Sequence, residues 1–102
     1  MQIHADRKDN VLHVYVSGEI DEHSAQTARM QADALAKAYA QSEKAVFDLG
    51  GVSFMDSTGI GFLIGRYKNY RRVGIPTYIT GVKAETDKIL QMSGVYSLMP
   101  KI

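Results

Sequence analysis

The chain has 102 residues, 45% of them hydrophobic and 23% charged, a balance typical of globular domains and unlike the low-hydrophobicity, high-charge signature of disorder. Twelve Lys and Arg against eleven Asp and Glu leave a net charge of +1, without the basic excess that drives binding to nucleic acid. Without cysteine, disulfides, thiolate zinc sites and cysteine nucleophiles are excluded. The length suits one domain, residues 1–102, and the absence of a signal-like apolar core or a membrane-length run predicts a soluble, cytoplasmic protein.

Ile3 to Lys8 and Val11 to Ser17 read as strands joined at Asp9-Asn10, a pair that tolerates positive φ in a tight hairpin turn. Leu12, Val14 and Val16 alternate with Val11, His13, Tyr15 and Ser17, the period of an interior strand with one strongly apolar face. After Gly18-Glu19-Ile20-Asp21, the residues Ala25, Ala28, Ala32, Leu35, Ala36 and Tyr39 recur at helical spacing. Asp21 or Ser24 is the expected N-cap. Ala45 to Leu49, ending at Gly50-Gly51, suits a short buried strand. Ile60, Leu63, Ile64 and Tyr67 then mark a second helix that stops near Gly74 and Pro76. Ile75 to Thr80 reads as a strand and Ala84 to Met92 as a third helix closed by Gly94, while Val95 to Met99 fits either strand or helix. The order β-β-α-β-α-β-α implies an α/β fold with a mixed sheet of four to five strands, an N-terminal hairpin and helices packed on it.

The stretch Phe54-Met55-Asp56-Ser57-Thr58-Gly59-Ile60-Gly61 lies where a buried strand meets a helix. Ser57 falls where an N-cap is expected, and one reading is a plain cap with glycines for packing. The other is a phosphorylation site. Free amides and a positive partial charge at a helix start accommodate phosphate, which adds about −1.5 to −2 charges beside Asp56. Against a partner carboxylate roughly 6 Å away, at an effective dielectric of about 20, each charge pair costs about 3 kcal/mol. Such a group spares the fold and repels the partner.

A serine hydrolase or nucleotide-binding enzyme built on Ser57 and His23 is the alternative. The surrounding residues do not form Gly-x-Ser-x-Gly or a Walker loop, and His4 and His13 fall on strands. No histidine spacing suggests a metal site, and no cofactor is implied. The basic residues Arg66, Lys68, Arg71 and Arg72 read as a solvated face near a helix C-terminus.

Phe47-Asp48-Leu49, then Val52 through Gly61, then Gly65-Arg66-Tyr67-Lys68 resemble the signature of the STAS-domain anti-sigma factor antagonists. Gly18-Glu19-Ile20-Asp21 and Met92-Ser93-Gly94-Val95 match the same family, and the Gly65 to Lys68 run is most similar to its sporulation branch. The resemblance implies a STAS fold and a non-enzymatic partner-switching role. In that cycle the unphosphorylated antagonist binds an anti-sigma factor that is also a serine kinase, freeing the sigma factor. Phosphorylation ends the contact and a serine phosphatase restores it. Carried over, Ser57 is the phosphoacceptor, Asp21 contacts the kinase from the neighbouring loop, Asp56 precedes the acceptor, and Gly59 and Gly61 admit the partner closely. Thr58 stands where relatives often carry a second serine, so a hydroxyl that could carry phosphate remains there. A scaffold or sensor role on the same fold is a third reading, and a monomer or weak dimer is expected, with Phe54 and Met55 near the switch.

Overall fold

The computed structural model describes all residues from Met1 to Ile102. The elements are β1 (Gln2–Lys8), β2 (Val11–Ile20), α1 (Glu22–Ala38), β3 (Lys44–Met55), α2 (Ser57–Arg72), β4 (Thr77–Thr80) and α3 (Ala84–Ser93). This is the α/β order expected from the periodicities. One four-stranded mixed sheet runs β1-β2-β3-β4, with β1 antiparallel to β2 and the other two pairs parallel. Asp9 and Asn10 both adopt positive φ in the hairpin turn, as a two-residue connection between twisted strands requires. The ambiguous segment after Gly94 is a 3-10 turn, Val95–Ser97, and Lys101 bridges Ile79 at the β4 edge.

Leu12, Val14 and Val16 of β2 meet Ala45, Phe47 and Leu49 of β3 in one buried layer. Ala25, Ala28, Ala32 and Ala36 of α1 are buried beside them, small enough to bring the helix close. On α2 the buried stripe is Gly59, Phe62, Leu63, Arg66 and Tyr70, whereas Ile60, Ile64 and Tyr67 pack only partly against the core. The true face is thus rotated from the one the apolar residues suggest, because α2 turns Arg66 and Tyr70 towards α1. Tyr70 is fully buried, meets Phe47 edge-on at 5.4 Å, and donates its hydroxyl to the Ala32 carbonyl at 2.7 Å.

Two strand bounds differ from expectation. β3 does not stop at Leu49; it continues through Gly50-Gly51 to Met55. Tyr15 pairs with Asp48 and Ser17 with Gly51, so the strand carries an extra residue there, and the Gly50 amide donates to Asp48 Oδ1 at 2.8 Å. A side chain on Gly51 would lie 2.8 Å from Ser17 Cβ. These glycines serve a bulge and do not terminate the strand. β4 begins at Thr77 and not at Ile75, because Pro76 has no amide to donate to the ladder.

Candidate functional site

Parallel pairing of β2 and β3 sets Ile20 opposite Met55, and neighbouring strands lie about 4.8 Å apart. Each strand is followed at once by an aspartate. The two helix starts therefore emerge side by side, one capped by Asp21 and the other by Asp56.

Asp21 Oδ1 accepts from the Ser24 amide and the Ser24 hydroxyl, both at 3.1 Å. The Ser24 amide, followed by its hydroxyl, holds the Asp21 carboxyl below its ordinary range, so it is a carboxylate at neutral pH. Of the two expected caps, Asp21 takes the role and Ser24 supports it.

At the second helix start the cap differs from the expectation. Asp56, not Ser57, is the N-cap; its backbone is extended and its Oδ1 accepts from the Thr58 amide at 2.9 Å. Ser57 is the first helical residue. A charged carboxylate is the stronger partner for the positive end of a helix, so it displaces the hydroxyl from that duty. The consequence is chemical. Ser57 is exposed, and its hydroxyl is not spent on capping.

A bulge also shapes this surface. Gly18 pairs with Val52 but Glu19 pairs with Phe54, so Ser53 is the extra residue and the in-out alternation shifts. Met55 is thereby buried, at 4% exposure, and Phe54 stands 52% exposed. Sequence alone left those two undecided. Glu19, Glu22 and Asp56 are exposed and Asp21 is half-buried, which makes the rim acidic with one aromatic ring in it. Periodicity gave no sign of the Glu19–Phe54 pairing, because a bulge is invisible to a fixed period.

The glycines divide. Gly59 is buried, and a side chain there would meet Met55 Cγ at 2.3 Å and Ile20 Cγ2 at 3.3 Å, whereas one on Gly61 would meet nothing within 4 Å. Gly59 is thus needed by the protein's own packing, while Gly61 lies exposed beside Thr58 in a cleft shared with Glu22 and Arg29.

Two of the three histidines, His4 and His13, lie on the sheet away from Ser57. His13 pairs with Val46, seven residues back along β2 from Ile20, a span of about 23 Å. His4 and His13 flank Tyr15 on the sheet, with ring centroids 6.0 and 6.4 Å from it. His23 is exposed in the first turn of α1, where the hydrogen bonds are those of Asp21 with Ser24, and none joins it to Ser57. No histidine makes the hydrogen bond to Ser57 on which a hydrolase triad relies. No three His, Asp or Glu side chains gather to hold a metal ion, and no helix is long and apolar enough to cross a membrane.

The basic cluster is the expected solvated face at three of its four positions. Lys68, Arg71 and Arg72 are exposed, but Arg66 is 5% exposed and its Nε lies 2.7 Å from Asp33 Oδ1 of α1. The guanidinium also donates to the Phe62 carbonyl and lies 5.1 Å from the Phe62 ring centroid.

Residues 2–102 match the STAS domain. The chain is 36% identical over 100 residues to the anti-sigma F factor antagonist of Paenibacillus polymyxa, covering 98% of this chain and 85% of that one. It is 29% identical over 101 residues to the anti-sigma-B factor antagonist of Bacillus subtilis (strain 168), covering 97% and 90%. An anti-sigma factor antagonist structure from Mycobacterium paratuberculosis shares the fold, with a TM-score of 0.83 at 24% identity over 98% of this chain and 83% of that one. The chain belongs to the STAS domain family, among its anti-sigma factor antagonists.

Proposed function

We propose that this protein works as a phosphorylation-switched antagonist of an anti-sigma factor, with residues 1–102 acting as one domain in the cytoplasm and without catalysis of its own. The observation that carries the reading is the exposed Ser57 at the first position of α2, its hydroxyl released from capping by Asp56. Unphosphorylated, the acidic rim of Asp21, Glu19 and Asp56, with Phe54, offers a partner charge and apolar contact. Thr58 and Gly61 complete the proposed contact surface, Gly61 as the place where the partner comes closest, while Gly59 serves the packing beneath it.

Phosphate on Ser57 adds about −1.5 to −2 charges to a rim that is already acidic. Free amides at the helix start hold the group without unfolding α2. A partner that fits the neutral hydroxyl then meets both added bulk and repulsion. The kinase is the anti-sigma factor, which transfers the γ-phosphoryl of ATP to Ser57 Oγ, and a serine phosphatase returns the hydroxyl by hydrolysis. The higher identity to the anti-sigma F factor antagonist than to the anti-sigma-B relative favours a sporulation sigma factor as the indirect beneficiary.

A pull-down of the anti-sigma factor with this protein, with and without enzymatic phosphate on Ser57, tests the reading. Capture only by the unphosphorylated form is the expected result. Equal capture by both forms would refute the switch.

A further inference from the structure

Arg71 stands at a second site. The last turn of α2, the start of β4 and the chain after the 3-10 turn enclose a cleft of about 350 Å³, within the size range of small-ligand sites. Tyr67, Tyr78, Leu98 and Pro100 contribute to its apolar wall, and Arg71 supplies its charge.

Arg71 is the one charged residue in that wall. It donates from Nη1 to the Tyr67 hydroxyl at 3.1 Å, and its guanidinium carbon lies 6.0 Å from the Tyr67 ring centroid. Neither ion pair of the protein uses it, so the guanidinium is oriented by a neutral phenol and keeps its charge unmatched. No carboxylate lines the cleft, so its field has one sign.

Thr77 is 3% exposed and its hydroxyl has no hydrogen-bond partner. That hydroxyl is closed off from the cleft, since Thr77 faces the core with Ile79. The wall therefore offers a ligand the two tyrosines and the Arg71 cation, and the ligand they define is flat, aromatic and anionic.

We propose that this cleft binds a small aromatic carboxylate, with the carboxylate on Arg71 and the ring against Tyr67 and Tyr78. From Ser57 to Arg71 runs nearly the whole of α2, about 21 Å of helix axis. The cleft is therefore separate from the proposed switching surface.

The test uses 2-naphthoate as probe and its neutral primary amide as control, followed by amide chemical shifts of the labelled protein. Saturable shifts at Arg71, Thr77, Tyr78 and Leu98, with a dissociation constant of about 1 mM or tighter and Ser57 unmoved, are expected. The amide, and the acid with Arg71→Met, should bind at least about tenfold more weakly. Absence of saturation up to about 10 mM, or equal binding of acid and amide, would overturn the proposal. So would unchanged affinity in Arg71→Met.

Discussion

Arg66 Nε and Asp33 Oδ1 approach to 2.7 Å across the contact between α2 and α1, with the arginine side chain 6% exposed and the aspartate 36%. Burial lowers the Arg66 pKa and the Asp33 charge opposes that shift; the guanidinium stays charged, so the carboxylate offsets the cost of burying it. The Nε–H is not aligned on the carboxylate oxygen, so the contact acts as a charge pair more than as a hydrogen bond. α1 otherwise offers α2 a row of alanines, which allows close approach but gives little to fix position.

Removing one member of such a pair strands a buried charge. Asp33→Ala should cost about 3 kcal/mol, the low end of the range because Asp33 is partly solvated. Replacing both residues, as Asp33→Leu with Arg66→Met, should fall within about 1 kcal/mol of the parent. Urea denaturation of the single and double variants measures both values, and equal losses in the two would contradict this account.

Gly59 and Gly61 should respond in opposite directions. Alanine at 59 forces Met55 and Ile20 to move, and should destabilise by about 1 to 3 kcal/mol despite its better helix propensity. Alanine at 61 meets open space and should stabilise by up to about 1 kcal/mol. If the partner approaches closely at Gly61, that more stable variant nevertheless binds the anti-sigma factor more weakly. Thermal melts paired with binding isotherms separate the two roles.

Acid should loosen the C-terminal segment first. Asp87 Oδ1 accepts from the Tyr96 hydroxyl at 2.5 Å and from Lys101 Nζ at 3.0 Å. The Tyr96 bond, followed by that of Lys101, holds the Asp87 carboxyl below its ordinary value of 3.8. A carboxyl lowered on folding stabilises above its unfolded value of about 3.9, and that stability drains as pH falls through the folded value. Melting temperature should therefore fall more steeply below about pH 4 in the parent than in Asp87→Asn. Parallel curves for the two proteins would show that Asp87 is not the group responsible.

Ser57→Asp should reduce anti-sigma binding at least about tenfold, or about 1.4 kcal/mol, with circular dichroism and melting temperature nearly unchanged. Because Ser57 is exposed and Asp56 already caps α2, the substitution leaves the helix start intact. Mass spectrometry of kinase-treated protein should place phosphate on Ser57. Thr58 is half-buried in the cleft with Glu22 and Arg29, and phosphate found there alone would reassign the acceptor.

The order of elements was legible in the chain because it rests on local periods. Alternation in β2, the alanine stripe of α1 and the Gly-Pro stop after α2 each report on a few neighbouring residues. Asp21 as the cap of α1, and the helix start at Asp56-Ser57, were legible for the same reason, since capping is decided within one turn. Which of Asp56 and Ser57 would cap was not, because both are good N-caps and their charges decide. Arg66 read as a surface cation because its partner lies on another helix, and only the packing of α1 on α2 brings Asp33 to it. Likewise Phe54 is outside and Met55 inside because pairing with β2 inserts a bulge. Sequence by itself determined the strands, helices and candidate switch; tertiary structure decided which charge is buried and which aromatic ring is offered, since those depend on residues distant along the chain.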